Sequence, residues 1–282
     1  YGDWSSDVCS SDLGGGSDFT TRLISPGIAE RLGQQVVVDN RVSQFAIEAV
    51  AKSPPDGYTL LLIGSPLWVL PLMQAGLSFD PIRDFVPVSL ADSSPSILVI
   101  HPSVPSKSVR ELIALAKARP AELNFASGSV GSSSYLAGEL FKAMAKVNIG
   151  GIPYKSSGPA LIDLLGGHVQ IAFSSAGPVQ PHIKSGRLRA LAVSSARRLP
   201  QLPEVPTLGE LGYQGMEDYT WVGIFAPAAT PREIVQKLND AVLRAVQAAD
   251  TRQRLDALAF EPTAAPLKET ADYVKSEVDK WR

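Results

Sequence analysis

The chain has 282 residues, 45% hydrophobic and 19% charged, with a formal net charge of −2 and a pI near 6.0. That length suits one large or two medium globular domains, and the acidic balance argues against nucleic acid as a partner. No apolar run approaches the ~18 residues needed to span a membrane, and the 1 Cys and 3 His form no metal-ligand spacing, so no metal and no cofactor are expected.

The first segment, Tyr1–Leu13, is polar and aperiodic and holds Cys9. From Asp3 to Leu13 it looks like the translated frame of a sequencing adapter. Residues 1–13 are therefore expected to be a non-native segment, unable to fill a central strand slot and hiding any signal peptide. Gly14, Gly15, Gly16, Ser17 and Asp18 form a Gly-rich loop before a helix over Phe19–Leu32. Pro26-Gly27 is expected to kink or restart that helix, and Gly33 to end it in the left-handed region.

Val36–Val38 is expected to be a buried strand, Ala46–Ala51 a short helix and Pro54-Pro55-Asp56-Gly57 a turn. Tyr58–Ile63 is too uniformly apolar to be half exposed and is expected to be a buried strand. It ends in the small-residue loop Gly64-Ser65-Pro66. Phe85–Leu90 and Ser96–His101 are predicted as two strands. Ser106 or Ser108 is predicted to cap a helix over Val109–Ala118.

Leu123–Ala126 is a short apolar piece, followed by two glycines and five serines within Ser127–Ser134 and then by a helical pattern from Tyr135. Strand, Gly/Ser loop and helix in that order leave first-turn N–H groups at the positive end of the helix dipole. Ser127, Gly128, Gly131, Ser132 and Ser133 are the candidate contacts for a carboxylate or phosphate, although an ordinary capped βα turn has the same composition.

Downstream, strands are predicted over Ile149–Tyr154, Gln170–Phe173, Leu188–Ser194 and Trp221–Ala226. Helices are predicted over Pro159–Leu165, Val179–Lys184, Leu208–Leu211, Pro231–Gln247, Thr251–Leu258 and Leu267–Trp281. The alternation implies an α/β protein with mostly parallel sheets, in which ligands sit at the carboxyl ends of strands. Small-residue loops follow several of those ends, including Tyr154 and Ser174-Ser175.

Enzyme chemistry finds little support. The serine loop lacks the G-x-S-x-G nucleophile elbow, because Ser127 stands where glycine is needed. His101, His168 and His182 form no acid–base pair with it. No GxxxxGK[ST] or GxGxxG signature occurs. Asp18 could accept a hydrogen bond from a ligand, or be an acid favoured by the helix dipole. Trp68 and Trp221 suit core or cleft wall.

Several stretches together, among them GGGSDFTTRL, AKSPPDGYTLLL, HPSVPSKSVRELIALAKARP, NFASGSVGSSSYLAGELF and WVGIFAPAATPREIVQKLN, resemble the Bug family of solute-binding proteins of tripartite tricarboxylate transporters. The resemblance covers residues 14–282. It implies a two-domain periplasmic-binding-protein fold (Venus flytrap, type 2) with parallel-rich mixed sheets, divided into residues 14–101 with 225–282 and residues 102–224. It further implies a periplasmic monomer, not an enzyme, that captures a small carboxylate and hands it to the transporter membrane subunits. A ligand sensor of the same fold, read by a membrane sensor kinase, is the alternative. The family's cleft loops match Gly14–Asp18, Gly64-Ser65, Ser127–Ser133 and Ser174-Ser175; apart from the resemblance, Tyr154 could stack on or pair with an anion, or be an ordinary strand-end tyrosine. Two departures bear on the site. Val42–Phe45 contains no glycine where members carry a Gly-rich loop, and Ser174 stands where many carry an Asp that suits a ligand ammonium.

Overall fold

The computed structural model describes residues 5–10 and 13–281; the remainder of the Tyr1–Leu13 expectation lies outside the described residues. The chain forms β1 (Ser5–Ser10), α1 (Gly16–Leu32), β2 (Gln35–Asn40), α2 (Ser43–Ala51), β3 (Thr59–Ile63), α3 (Pro66–Met73) and the long β4 (Phe85–Ile100). Then come α4 (Val109–Ala118), β5 (Asn124–Ser127), α5 (Ser133–Ala145), β6 (Gly150–Pro153), α6 (Ser157–Leu165), β7 (Ile171–Ser175), α7 (Ala176–Lys184) and β8 (Arg189–Val193). Last are β9 (Tyr219–Pro227), α8 (Arg232–Gln247), α9 (Ala249–Ala257), β10 (Glu261–Pro262) and α10 (Leu267–Trp281).

The strands run in the order β2-β1-β3-β9-β4-β7-β5-β6, with β8 and β10 also paired to β4. Pairing is parallel within β2-β1-β3 and within β7-β5-β6. It is antiparallel wherever β9 or β4 takes part. The single strand β4 belongs to both halves of the sheet system. Up to Pro95 it pairs with β9, and from Ser96 with β7 and β8. The two separate strands expected here are one, because backbone pairing continues through Ala91–Pro95 although the side chains there are small or polar.

Period-two alternation places the cores. On β3, Leu60 and Leu62 join Ile24, Ile28, Val235 and Val242 on one face, while Leu61 and Ile63 join Ile47, Trp68 and Phe225 on the other. On β4, Leu98 and Ile100 pack with Phe125 and Phe141, and Ile97 and Val99 with Leu164 and Val179. Helices therefore cover both faces of each half, and strands buried on both sides carry the uniform apolar runs seen in the sequence.

Several expectations are corrected. Ser5–Ser10 does fill a central strand slot, paired in parallel with β2 on one side and β3 on the other. Val8 and Cys9 supply its buried apolar side chains, with Ser10 buried next to them, and burial pushes the Cys9 thiol pKa up. Two inward apolar side chains and a full backbone ladder suffice where composition alone looked too polar. Helix α1 runs without interruption through Pro26. Thr21 and Ser25 hydroxyls donate to the carbonyls of Ser17 and Thr21, 2.6 Å each, and Gly27 lets Ala245 of α8 approach where a Cβ would crowd it. Strand β2 is half exposed rather than buried, since it is the sheet edge. Residues 208–211 form a turn, not a helix.

Other expectations hold in detail. Gly33 caps α1 at φ 65°, its N–H bonded to the Ala29 carbonyl. Ser108 caps α4 by accepting from Glu111 N, while Glu111 accepts from Lys107 N. Buried Asn239 donates to the Val88 and Ala265 carbonyls at 2.7 and 2.9 Å, tying α8 to β4 and to the approach of α10.

One buried group opposes the fold. Asp92 of β4 is fully enclosed, accepts a hydrogen bond from the Thr20 hydroxyl, and leaves Oδ1 without a partner among the described residues. Burial raises its pKa from 3.8 to about 7, partly offset by the Thr20 bond. The folded chain thus holds a proton that the unfolded chain releases above pH ~4, so stability falls as pH rises from about 4 to about 7 and then levels off. Asp92→Asn should remove that slope. The variant should exceed wild type by on the order of 4 kcal/mol at pH 8 and match it closely near pH 4. Denaturant unfolding at several pH values checks this, and parallel stability curves would refute it.

Candidate functional site

Six helices begin at one cleft between the two halves of the sheet, α2 among them through Ser43. The residues lining it include Gly16 and Ser17 of α1, Ser65 and Pro66 at the start of α3, and Ser132, Ser133 and Ser134 at the start of α5. Ser157 opens α6, and Ser174 and Ser175 precede α7. Ser43, Gly64, Ser96, Ser129, Thr220 and Trp221 complete the wall around about 560 Å³ of space that is partly open to solvent. No lining residue is charged at neutral pH.

The convergence follows from the local sequence. Each parallel βα unit turns at the carboxyl end of its strand, so its helix starts there with its first amides directed along the axis toward the cleft. Serines occupy the cap positions, yet the hydroxyls of Ser65, Ser156 and Ser175 make no capping bond to their own helices. Ser132 does cap α5, accepting from Tyr135 N at 3.3 Å. Helix α3 differs from the others, because Leu67 N and Trp68 N already bond to the carbonyls of Gly64 and Ser65. It contributes a hydroxyl and a dipole rather than free amides.

Hydroxyls meet across the cleft. Ser43 Oγ lies 2.9 Å from Ser129 Oγ, and Ser65 Oγ is 3.2 Å from the Gly131 carbonyl and 3.3 Å from Ser133 Oγ. At the other edge Gly158 N donates to the Leu13 carbonyl at 3.2 Å. On the second wall Gly128 N donates to Ser134 Oγ at 3.0 Å, and Ser134 Oγ lies 3.1 Å from Ser132 Oγ. The back wall is braced by aromatic rings. Trp221 stacks on Trp68 at 6.4 Å, meets Tyr273 edge-on at 5.6 Å, and donates its indole N–H to Glu277 at 3.0 Å. Ser96 Oγ reaches Asp218 Oδ2 at 3.4 Å beside the same wall.

Of the residues singled out from the sequence, Gly16, Ser17, Ser65, Ser132, Ser133, Ser174 and Ser175 line this cleft. Gly14, Gly15 and Asp18 face a separate surface depression with Phe19 and Arg22. Asp18 is occupied within its own wall, accepting from Gly14 N, Arg22 Nε and Asn40 Nδ2 at 3.1, 2.9 and 2.9 Å. Ser127 and Gly128 border a small cavity behind the cleft. Gly131 sits in the left-handed region at φ 82° and offers its carbonyl to Ser65. Tyr154 lies outside the cleft. Its hydroxyl donates to Asp163 at 2.6 Å, and desolvation, reinforced by that carboxylate, pushes the phenol up to about 12.

Sequence reasoning missed Ser43, Ser96, Ser134, Ser157 and Thr220, whereas Gly64 and Ser129 fell within the loops it marked and Trp221 was read as core or cleft wall. Ser134 and Ser157 could have been found by taking the first helical positions after each strand. Ser96 and Thr220 reach the cleft only because β4 and β9 pass behind it, which no local signal announces. Ser43 comes from the segment whose lack of glycine put one wall in question. It opens α2 and bridges to Ser129.

Comparison with known proteins bears on this geometry. Residues 20–282 match the family model described as tripartite tricarboxylate transporter family receptor. Protein BugT of Bordetella pertussis is 38% identical over 273 residues, covering 95% of this chain and 84% of BugT. The structure titled R. palustris Rpa4515 with adipate superposes with TM-score 0.93 at 34% identity, covering 98% of this chain and 94% of that one. The periplasmic binding protein BugD superposes with TM-score 0.92 at 29% identity, covering 98% and 94%.

Gly64 is the tightest point of the wall. A Cβ there would fall inside van der Waals contact with the Trp221 carbonyl oxygen, a backbone atom that cannot turn aside. Gly64→Ala should therefore push the start of α3 away from β9 and cost roughly 1–3 kcal/mol. Thermal unfolding checks it, and a melting temperature equal to wild type would show that the wall is looser than drawn.

Proposed function

The chain belongs to the tripartite tricarboxylate transporter receptor family, and from that premise we propose that it captures a small carboxylate without an obligatory amine for delivery to transporter membrane subunits. The observation that carries this reading is a cleft rich in helix starts and hydroxyls that holds no charged side chain. An anion placed there meets only N–H and O–H donors. Charge-assisted hydrogen bonds contribute on the order of 1.5–3 kcal/mol each, and each helix end adds roughly 0.3–1 kcal/mol. An ammonium would find no carboxylate, since Asp18 is engaged within its own wall and Ser174 stands where an acid could have been. The adipate in the Rpa4515 structure is a dicarboxylate of this kind.

The family and fold are those of solute-binding receptors, and no described helix is long and apolar enough to cross a membrane. We further read a periplasmic protein of two domains, residues 14–101 with 225–282 and residues 102–224, that close on the ligand. The change of β4 partners between Pro95 and Ser96, and the start of β9 at Tyr219, support a hinge a few residues before each of those divisions. Gly16, Ser17, Ser65, Ser132, Ser133, Ser174 and Ser175 are the proposed ligand contacts, with Ser43, Ser129, Ser134 and Ser157 added from their position in the wall.

A thermal-shift panel of mono-, di- and tricarboxylates against aspartate and glutamate tests the ligand class, because binding raises the melting temperature by mass action. Stabilisation by a plain dicarboxylate is expected. A panel yielding only aspartate or glutamate would refute the amine-free reading.

Ser132→Asp tests the site. Asp is as good an N-cap as Ser and suits the positive helix end, so the fold should keep its melting temperature or gain slightly. The new carboxylate would occupy the donors meant for the ligand, weakening binding by two or more decades if two charge-assisted bonds are lost. Ser132→Ala should be milder for binding while losing about 1 kcal/mol of stability with the cap. Near-native affinity of Ser132→Asp by calorimetry would place the anion elsewhere.

A further inference from the structure

The cleft has no charge of its own, but a carboxyl group lies directly behind it. Thr20, which donates to Asp92, sits four residues into α1 from Gly16, a rise of about 6 Å along the axis. Gly16 and Ser17 line the cleft. Asp92 therefore stands beneath the same first turns of α1 whose amides face the proposed anion. It also lies four residues before Ser96, where β4 changes partners.

Among the described residues no cation compensates it. Asp18 of α1 is paired with Arg22 on another face, Glu277 of α10 is bonded to Trp221, and Glu261 of β10 is exposed. The other charged side chains of α1, α8 and α10 in the described residues point to solvent, and burial and the Thr20 bond alone act on Asp92.

Resting on the carboxylate reading, we propose that Asp92 is a positioning residue that couples ligand capture to proton uptake. In its neutral form the positive end of α1 is free for the ligand carboxylate. In its ionised form Asp92 competes for that end and repels the ligand. Proton balance is simple: one proton moves from water to an Asp92 carboxylate oxygen as the anion enters, and returns to water on release. An anion about 10 Å away through an effective dielectric near 20 shifts such a group by about one pH unit. Between pH 6.5 and 8.5 that corresponds to roughly a fivefold loss of affinity.

Two measurements test this. Carbon-13 NMR of the Asp92 carboxyl in the ligand-free protein should show a titration midpoint near neutrality; a midpoint below 5 overturns the proposal whether or not a ligand is known. Calorimetry with adipate at pH 6.5 and 8.5, in two buffers of different ionisation enthalpy, should show fractional proton uptake by wild type and a roughly fivefold weaker dissociation constant at the higher pH. Asp92→Asn should bind adipate equally at both pH values without uptake. Zero uptake by wild type, or an unchanged pH slope in Asp92→Asn, overturns the proposal while leaving the carboxylate reading intact. No binding of adipate or of any other carboxylate in the thermal-shift panel at either pH overturns the carboxylate reading and this inference with it.

Discussion

On the proposed reading, the structure depends on holding an anion without a counter-ion. A fixed arginine would supply a charge-assisted pair from a single side chain, whereas here the positive potential is spread over helix ends and hydroxyl dipoles from six separate helices. Such a site works only if those elements converge within one cleft. That requirement explains why the strands of each half run parallel up to the cleft, why the loops are short, and why they consist of Gly and Ser. A bulkier side chain would hold the ligand away from the amides it must reach.

Convergence requires a rigid frame behind the cleft, and β4 with β9 provides it. Both strands run through or beside the junction of the halves, paired with each other from Phe85 to Pro95. Asn239 anchors β4 to α8, and Trp221 on β9 is held between Trp68 and Tyr273 with its N–H on Glu277. Burial and the neighbouring carboxylates push the Tyr273 phenol up, so it stays neutral throughout any physiological range. The back wall is thus apolar and aromatic, while the side walls carry the donors. Hydrogen bonds to an anion gain strength against such a low-dielectric backing.

Much of this was legible in the residues, and the reasons differ by element. Helices α4 and α10 have the bounds expected of them because a capping box opens one and a long amphipathic stripe marks the other. Strand β3 was evident because burial on both faces leaves a continuous apolar run. What the residues hid was set by tertiary context. Helix α3, with prolines at positions 66 and 71, has little helical signal and is held by packing of Leu67, Trp68 and Leu70. The pairing of Ser5–Ser10 depends on its neighbours β2 and β3 rather than on its own composition. In the site, the loops before helices were visible as Gly/Ser runs, but the choice among their residues was not. Asp18, open to either a ligand or a local role, takes three bonds from its own wall, and Tyr154 is tied to Asp163. In both cases a polar residue near a loop has a local partner that the sequence does not announce.

If the two halves are the domains proposed to close on the ligand, the cross-cleft contacts explain how so neutral a site can act as a trap. Ser43 with Ser129, Ser65 with Gly131 and Ser133, and Gly158 with Leu13 are all neutral hydrogen bonds near water, each contributing about 0.5–1.5 kcal/mol net at best. Their sum is comparable to the entropy lost when two bodies joined by two strands stop moving against each other. Closure is therefore close to balanced in the absence of ligand. A ligand shifts such a balance only by its differential affinity for the closed form. Here that difference is built in, because the donors of α1 and α3 stand on one wall and those of α5, α6 and α7 on the other. An anion in an open cleft can engage one set; only closure brings both sets onto it. The neutrality that makes the site look featureless in the sequence is what keeps its closure conditional on ligand.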